Sequence, residues 1–232
     1  MSVNKVVVMG AGVMGRGISE LVASTGCEVV LVDKTEEILK NSMHILSEIM
    51  DNEIEKWGLT RSVSQKAILS RITPTTSLDE TCDVKIVIES VPESLEAKKE
   101  VFQSLDSNCS PETIIITNTS TLSITELASF TKRPDKVIGM HFLFPVTKVP
   151  LVEIVRGLKT SEETYDAIKD FADQLNKTPV TVYEYPGYVT TRIIVPFLNE
   201  AMHVLMEGIA SAEDIDTAMR LGFGFNIGFE FV

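Results

Sequence analysis

The chain has 232 residues, 44% of them hydrophobic, which is enough for one large domain with a buried core and a smaller one after it. Acidic residues outnumber basic ones 33 to 21, and the formal net charge of −12 repels phosphate backbones and anionic membrane surfaces, so nucleic acid and membranes are excluded as partners. Cys27, Cys82 and Cys109 fit neither a metal-ligand spacing nor a disulfide framework, and no signal pattern or membrane-length apolar run is present. These features predict a cytoplasmic protein with reduced thiols and no metal.

An apolar run at 5–9 predicts the first strand, and Gly10-Ala11-Gly12-Val13-Met14-Gly15 follows it at the head of a helical pattern. A second apolar run at 28–32 ends on Asp33. The glycine turn therefore has the strand before it, the helix after it and the acid that a dinucleotide-binding fold requires. In that geometry Gly10 permits the tight turn, Gly12 admits the pyrophosphate to the main chain, and Gly15 allows the helix to pack closely on the strand. Ala11, Val13 and Met14 complete the turn, and the helix N-terminus offers unpaired N–H groups to the phosphates. Asp33 can accept both ribose hydroxyls and would repel a 2′-phosphate, which selects NAD over NADP, with the neighbouring Lys34 opposing that choice weakly. Taken singly, Asp33 is an ordinary turn residue at a strand end.

Helical periodicity follows from 35 to 57, with Gly58 as a stop, and again at 62–69. Strands are predicted at 85–88, 113–117, 136–140 and 151–155, with helices at 94–105 and 124–130 between the earlier ones. A helix at 161–175 and a strand at 179–183 complete the region. This alternation predicts an α/β fold with a Rossmann-like, mostly parallel, doubly wound sheet. Glu184-Tyr185-Pro186-Gly187 punctuates its end, so residues 1–184 read as an NAD-binding domain and 185–232 as a small all-helical domain. Within the latter, 188–207 is amphipathic and Ser211 caps a second helix.

Asn118-Thr119-Ser120, Gly139-Met140-His141-Phe142, Leu151-Val152-Glu153 and Pro186-Gly187-Tyr188 occur in that order. Together they resemble the L-3-hydroxyacyl-CoA dehydrogenase family, which includes bacterial 3-hydroxybutyryl-CoA enzymes, and the likeness runs from the first strand to about Gly224. The resemblance implies NAD-dependent interconversion of 3-hydroxyacyl-CoA and 3-oxoacyl-CoA. It implies that His141 is the base for the hydroxyl proton, that Glu153 orients the imidazole, and that Ser120 bonds the reacting oxygen beside the nicotinamide. Glu93 and Lys98 are implied as contacts to the nicotinamide half of NAD, and Lys56 as a contact to the CoA phosphates. Histidine suits the role because its proton affinity lies near neutrality. All three catalytic side chains are expected at the C-terminal ends of strands or in the loops that follow. Without the resemblance, His141 is a packed residue after a strand, Glu153 an edge-strand side chain and Ser120 a helix cap. Lys98 then belongs to a solvated helical turn, and Lys56 to a helix face.

Two positions depart from the family pattern. Thr191 stands where family members have Asn before Arg192, which leaves a shorter donor for a substrate carbonyl. Phe144 replaces the Asn of the usual His-Phe-Phe-Asn-Pro. Both changes touch the substrate rather than the cofactor, and they admit the same chemistry on a hydroxyacyl unit linked to an acyl carrier protein, as in enzymes that make polyketide extender units. A further alternative is an NAD-binding structural homologue with weak catalysis. Relatives continue through more helices, so the chain reads as truncated at its C-terminus, and the apolar faces of 188–207 predict a homodimer.

Overall fold

The computed structural model describes residues 3–57, 64–78 and 83–225, without the side chains of 53–57. It divides into two compact units, Met1–Pro186 and Gly187–Val232. In the first, the strands are β1 (Lys5–Met9), β2 (Glu28–Val32), β3 (Ile72–Thr75), β4 (Ile86–Glu89), β5 (Ile114–Thr117), β6 (Val137–Phe142), β7 (Leu151–Arg156) and β8 (Thr178–Tyr183). Its helices are α1 (Val13–Ser24), α2 (Glu36–Trp57), α3 (Gln65–Leu69), α4 (Leu95–Asn108), α5 (Ile124–Ser129) and α6 (Glu162–Gln174).

One sheet carries all eight strands in the order β3-β2-β1-β4-β5-β6-β7-β8. The first six are parallel to their neighbours, β7 runs antiparallel to β6, and β8 is parallel to β7. The central strands are apolar throughout because both faces are covered. Val6, Val8, Ile86, Ile88, Ile114 and Ile116 share one core with Ile18 of α1 and Phe171 of α6, and the alternate residues Val7, Val87 and Ile115 are just as buried. Ser94, Ser123 and Ser161 cap α4, α5 and α6 by accepting from the amides of Ala97, Glu126 and Thr164. At its other end α4 meets the Arg133 guanidinium, which donates to the Asp106 and Cys109 carbonyls and pairs with the Asp106 side chain at 3.1 Å.

Two features were not anticipated. β3 pairs with β2 at the sheet edge, yet its sequence Ile-Thr-Pro-Thr has neither an apolar run nor clean alternation, and Pro74 is tolerated only because the strand lies at the edge. The reversal of β7 follows from the 143–150 connection, which is too short for a helical crossover. Lys177 clamps that connection by donating to the carbonyls of Val146 and Val149, each at 2.6 Å, and burial lowers its pKa. The start of the helix expected at 62–69 falls partly outside the described residues; α3 begins after the N-cap Ser64.

In the second unit α7 (Thr190–Met206) and α8 (Ala212–Phe223) pack through Ala201 and Ile215. Ser211 caps α8 by accepting from the Asp214 amide, and Gly224 ends it in the left-handed region at φ 73°.

The glycine turn between β1 and α1 is sterically exacting. Gly10 has φ +101°, and a Cβ there would lie 2.5 Å from the Ser90 carbonyl oxygen at the end of β4. A Cβ on Gly15 would lie 1.8 Å from the Gly10 carbonyl oxygen, whereas one on Gly12 would meet nothing within 4 Å. Gly15→Ala is therefore expected to lower unfolding stability by about 3 kcal/mol or more, since backbone atoms must move, and Gly12→Ala by about 1 kcal/mol or less. Urea denaturation of the two variants beside the parent measures the contrast; equal losses would contradict it.

Candidate active site

The strand order reverses between β1 and β4, and a cleft of about 880 Å³ opens there at the C-terminal ends of the strands. Ligands of open α/β sheets bind at such a point. The glycine turn, Asp33, Glu93, Ser120, His141 and Phe144 all line this cleft. At the head of α1, Gly12 provides no side-chain cap for the first-turn amides, and its missing Cβ leaves open space. This is a cradle for an anionic group at a helix N-terminus. Asp33 accepts the Ala11 amide through Oδ2 and the Lys34 amide through Oδ1, both at 2.7 Å. Each carboxylate oxygen keeps a second lone pair for a ribose hydroxyl. Backbone donors for a pyrophosphate with a carboxylate beyond them are the donor set that NAD needs, and the residues fit it.

On the other side of the reversal a chain of charges runs from the core to the cleft. Glu89, wholly buried at the end of β4, accepts from Lys98 Nζ at 2.6 Å and the Val91 amide at 2.8 Å through Oε1, and from Thr117 Oγ1 at 2.6 Å through Oε2. Lys98 is 1% exposed, and its ammonium also donates to the Val91 carbonyl at 3.2 Å and pairs with Glu93 Oε2 at 3.3 Å. It is a buried ion-pair partner, not part of a solvated turn. Glu93 Oε1 collects the hydroxyls of Thr119 and Thr121 and the amides of Ser120 and Thr121, the amides at 3.1 Å each. Partial burial pushes the Glu93 pKa up, but the Thr119 hydrogen bond, the Lys98 charge and the Thr121 donors outweigh it and hold the carboxyl below its ordinary value. Ser120 is thus held on the loop after β5 by a carboxylate from the loop after β4.

Antiparallel pairing of β6 and β7 sets His141 directly opposite Glu153. His141 Nδ1 and Glu153 Oε2 are 2.7 Å apart, with the histidine 6% exposed and the glutamate wholly buried. An ionised carboxylate only accepts, so Nδ1 carries a proton, and in the neutral imidazole the lone pair then falls on Nε2. His141 and Ser120 come from strand ends and following loops as expected, but Glu153 does not. It lies in the N-terminal half of β7, and it reaches the mouth of the sheet because β7 runs backwards along β6. Asn118 ties the two sides together, its Oδ1 accepting the Phe142 amide at 2.9 Å.

The side chain of Lys56 and all of Cys82 lie outside the described residues. Thr191 is the second residue of α7, in the second unit. Cys27 and Cys109 are buried. Among the described residues no cluster of three or more His, Cys, Asp or Glu could hold a metal ion, and no helix is long and apolar enough to cross a membrane. Sequence reasoning passed over Glu89, Thr117 and Asn118 as site residues. Glu89 had a legible signal, a charge ending the otherwise apolar strand Ile86-Val87-Ile88-Glu89, whereas Thr117 and Asn118 act only through contacts that the fold creates.

Comparison with known proteins agrees with this geometry. The family model for the 3-hydroxyacyl-CoA dehydrogenase NAD-binding domain matches residues 5–185, and that for the C-terminal domain of 3-hydroxyacyl-CoA dehydrogenase matches 187–230. The chain is 42% identical over 224 residues to a 3-hydroxybutyryl-CoA dehydrogenase of Clostridioides difficile, covering 97% of this chain and 79% of that one. It is 38% identical over 232 residues to the mitochondrial hydroxyacyl-coenzyme A dehydrogenase of Homo sapiens, covering 97% and 74%. The crystal structure of (S)-3-hydroxybutyryl-CoA dehydrogenase from Ralstonia eutropha matches with a TM-score of 0.89 at 40% identity, over 98% of this chain and 80% of that one. A glycine turn built for a dinucleotide, a histidine–glutamate pair at the mouth of the sheet and family-model matches along nearly the whole length lead to one assignment: the chain belongs to the 3-hydroxyacyl-CoA dehydrogenase family.

Proposed function

We propose that this protein is an NAD-dependent 3-hydroxyacyl-CoA dehydrogenase in which His141 is the general base and Glu153 its orienting carboxylate. The observation that carries the reading is the buried 2.7 Å bond between His141 Nδ1 and Glu153 Oε2 on the wall of the cleft that begins at the glycine turn. The α1 N-terminus and glycine turn hold the pyrophosphate, and Asp33 takes the adenosine ribose. When bound, NAD supplies the acceptor for the hydride that leaves C3 of the substrate.

The residues of the chain handle the proton. With Glu153 ionised and accepting from Nδ1, the His141 Nε2 lone pair takes the hydroxyl proton as the C3 oxygen becomes a carbonyl. Glu153 then stabilises the imidazolium and keeps the ring in one orientation, the role an acid plays in other histidine–carboxylate pairs. Ser120 hydrogen-bonds the same oxygen and is positioned by Glu93 through its amide. By the family pattern, Thr191 is a donor for a substrate carbonyl and Lys56 a cation for the CoA phosphates. His141→Gln is expected to lower kcat for NADH formation from 3-hydroxybutyryl-CoA by about 10²–10⁴, with NAD still bound, and Glu153→Gln to lower it in the same range. Unchanged turnover in His141→Gln would sink the assignment.

A second reading keeps the residues and changes the carrier. Phe144 puts an apolar ring, 69% exposed, on the cleft where family members have an amide, which suits an altered acyl unit on an acyl carrier protein. A panel of the same hydroxyacyl group on CoA and on a carrier protein separates the two: the CoA thioester is expected to give the higher kcat/KM, and the reverse order would move the assignment to the carrier. NAD binding with no turnover on either would indicate a structural homologue.

Buried cysteine thiols at Cys27 and Cys109 suit a reducing cytoplasm. The helical unit exposes Ile193, Met206, Leu221 and Phe223, and these apolar side chains support a homodimer. Sedimentation at micromolar concentration is expected to show a dimer, and a monomer alone would overturn that.

A further inference from the structure

The Glu89–Lys98–Glu93 chain contains two carboxylates and one ammonium, so it carries one negative charge that nothing within it neutralises. We propose that this charge biases the site toward the oxidised form of its cofactor, raising its affinity for NAD+ relative to NADH. The proposal rests on the reading of the cleft as an NAD site and adds to it a fixed electrostatic bias toward the oxidised form.

Placement follows from the direction of the cleft. Asp33 stands at the end of β2, the phosphate cradle at the end of β1, and Glu93 and Ser120 follow β4 and β5 on the far side of the strand reversal. A dinucleotide with its adenosine ribose on Asp33 and its pyrophosphate at α1 extends its nicotinamide half over β4, β5 and β6. Glu93 lines the cleft there. The nicotinamide ring carries a positive charge when oxidised and none when reduced, so a nearby fixed negative charge lowers the free energy of one state only.

Three features keep the charge in place. Glu89 and Lys98 are buried to within 1% of completely and are hydrogen-bonded to each other, to Val91 and to Thr117. Lys98 is shared, 2.6 Å from Glu89 and 3.3 Å from Glu93, so its single charge is already committed to the inner carboxylate. The other groups around Glu93 Oε1 are hydroxyls and amides, which hold a carboxylate in its ionised form without cancelling its charge. Of the other acids on this side of the cleft, Glu153 is paired with His141, and Glu100 is exposed to solvent.

A purely structural role for the chain predicts something different. Glu93 organises residues 119–121, and loosening that loop would weaken both cofactor forms together. The ratio of the two dissociation constants therefore isolates the electrostatic effect. Glu93→Gln removes the charge at the cleft, and Glu89→Gln removes it at the buried end, where Lys98 is released to neutralise Glu93 and the Glu93 contacts to the loop are retained.

Titration calorimetry with NAD+ and cofactor fluorescence with NADH give the two dissociation constants for the parent and both variants, with no substrate present. The expected result is a ratio of Kd for NADH to Kd for NAD+ that falls by about three- to tenfold in each variant. Parallel weakening of both forms, or an unchanged ratio, would overturn the proposal and leave the chain as a scaffold. Should Glu89→Gln not fold, Glu93→Gln decides alone, because its side chain is partly exposed. Failure of the parent protein to bind either form would instead overturn the cofactor reading, and this proposal with it.

Discussion

The reversal of β7 against β6 is the constraint on which the site depends. A parallel β7 would need a long crossover from β6, and the side chain opposite His141 would come from another point in the sequence. The connection 143–150 forces the chain straight back, so His141 and Glu153 become register partners and their side chains emerge on the same face of the sheet. A buried carboxylate is costly unless it is hydrogen-bonded, and the imidazole Nδ1 answers that cost for Glu153. The clamp of Lys177 on the Val146 and Val149 carbonyls fixes the same connection from the α6–β8 side. Backbone topology thus delivers the pair before any feature of the substrate matters.

The Glu89–Lys98–Glu93 chain illustrates a different use of buried charge. Replacing an ion pair of this kind with apolar residues is often neutral for stability, and breaking one partner away is harmful. Its presence is therefore better explained by what it positions. Glu89 joins the ends of β4 and β5 through Thr117 and holds Lys98, Lys98 holds Glu93, and Glu93 gathers the loop that carries Ser120. The two bonds to Glu89 are short charge-assisted hydrogen bonds at 2.6 Å, and Lys98 meets Glu93 as an ion pair at 3.3 Å. A loop that would otherwise move independently of the sheet is tied to its most buried layer.

Local signals in the sequence carry much of this architecture. The strands of the parallel sheet are visible because burial on both faces demands uninterrupted apolar runs, and the serines before α4, α5, α6 and α8 mark helix starts because they accept the amide three residues on. The glycine turn is legible because its steric demands allow no other residue at Gly10 or Gly15. What escaped was set by tertiary context. β3 exists only because β2 offers it an edge, and Pro74 hides it from any pattern based on propensity. Lys98 looks solvated in the polar run Glu93–Glu100, and its burial depends on Glu89 meeting it from the adjacent strand end. Glu153 alternates correctly for an edge strand, but the sheet continues to β8 and the side chain is wholly buried.

Phe144 and the histidine pair make opposite demands on the same cleft. His141 is almost wholly enclosed beside the Glu153 carboxylate, whereas Phe144 stands 69% exposed on the same cleft. An aromatic ring left in water gains by being covered, and Phe144 lines the cleft where ligands of such sheets bind. An amide at that position would solvate a polar neighbour, and a phenyl ring would exclude water from it. Exclusion of water strengthens both the Glu153–imidazolium interaction and the field of the Glu89–Lys98–Glu93 chain, since each acts through a lower dielectric once the cleft is closed. The departure from the family pattern at Phe144 therefore bears on the charges that the rest of the site is built to hold.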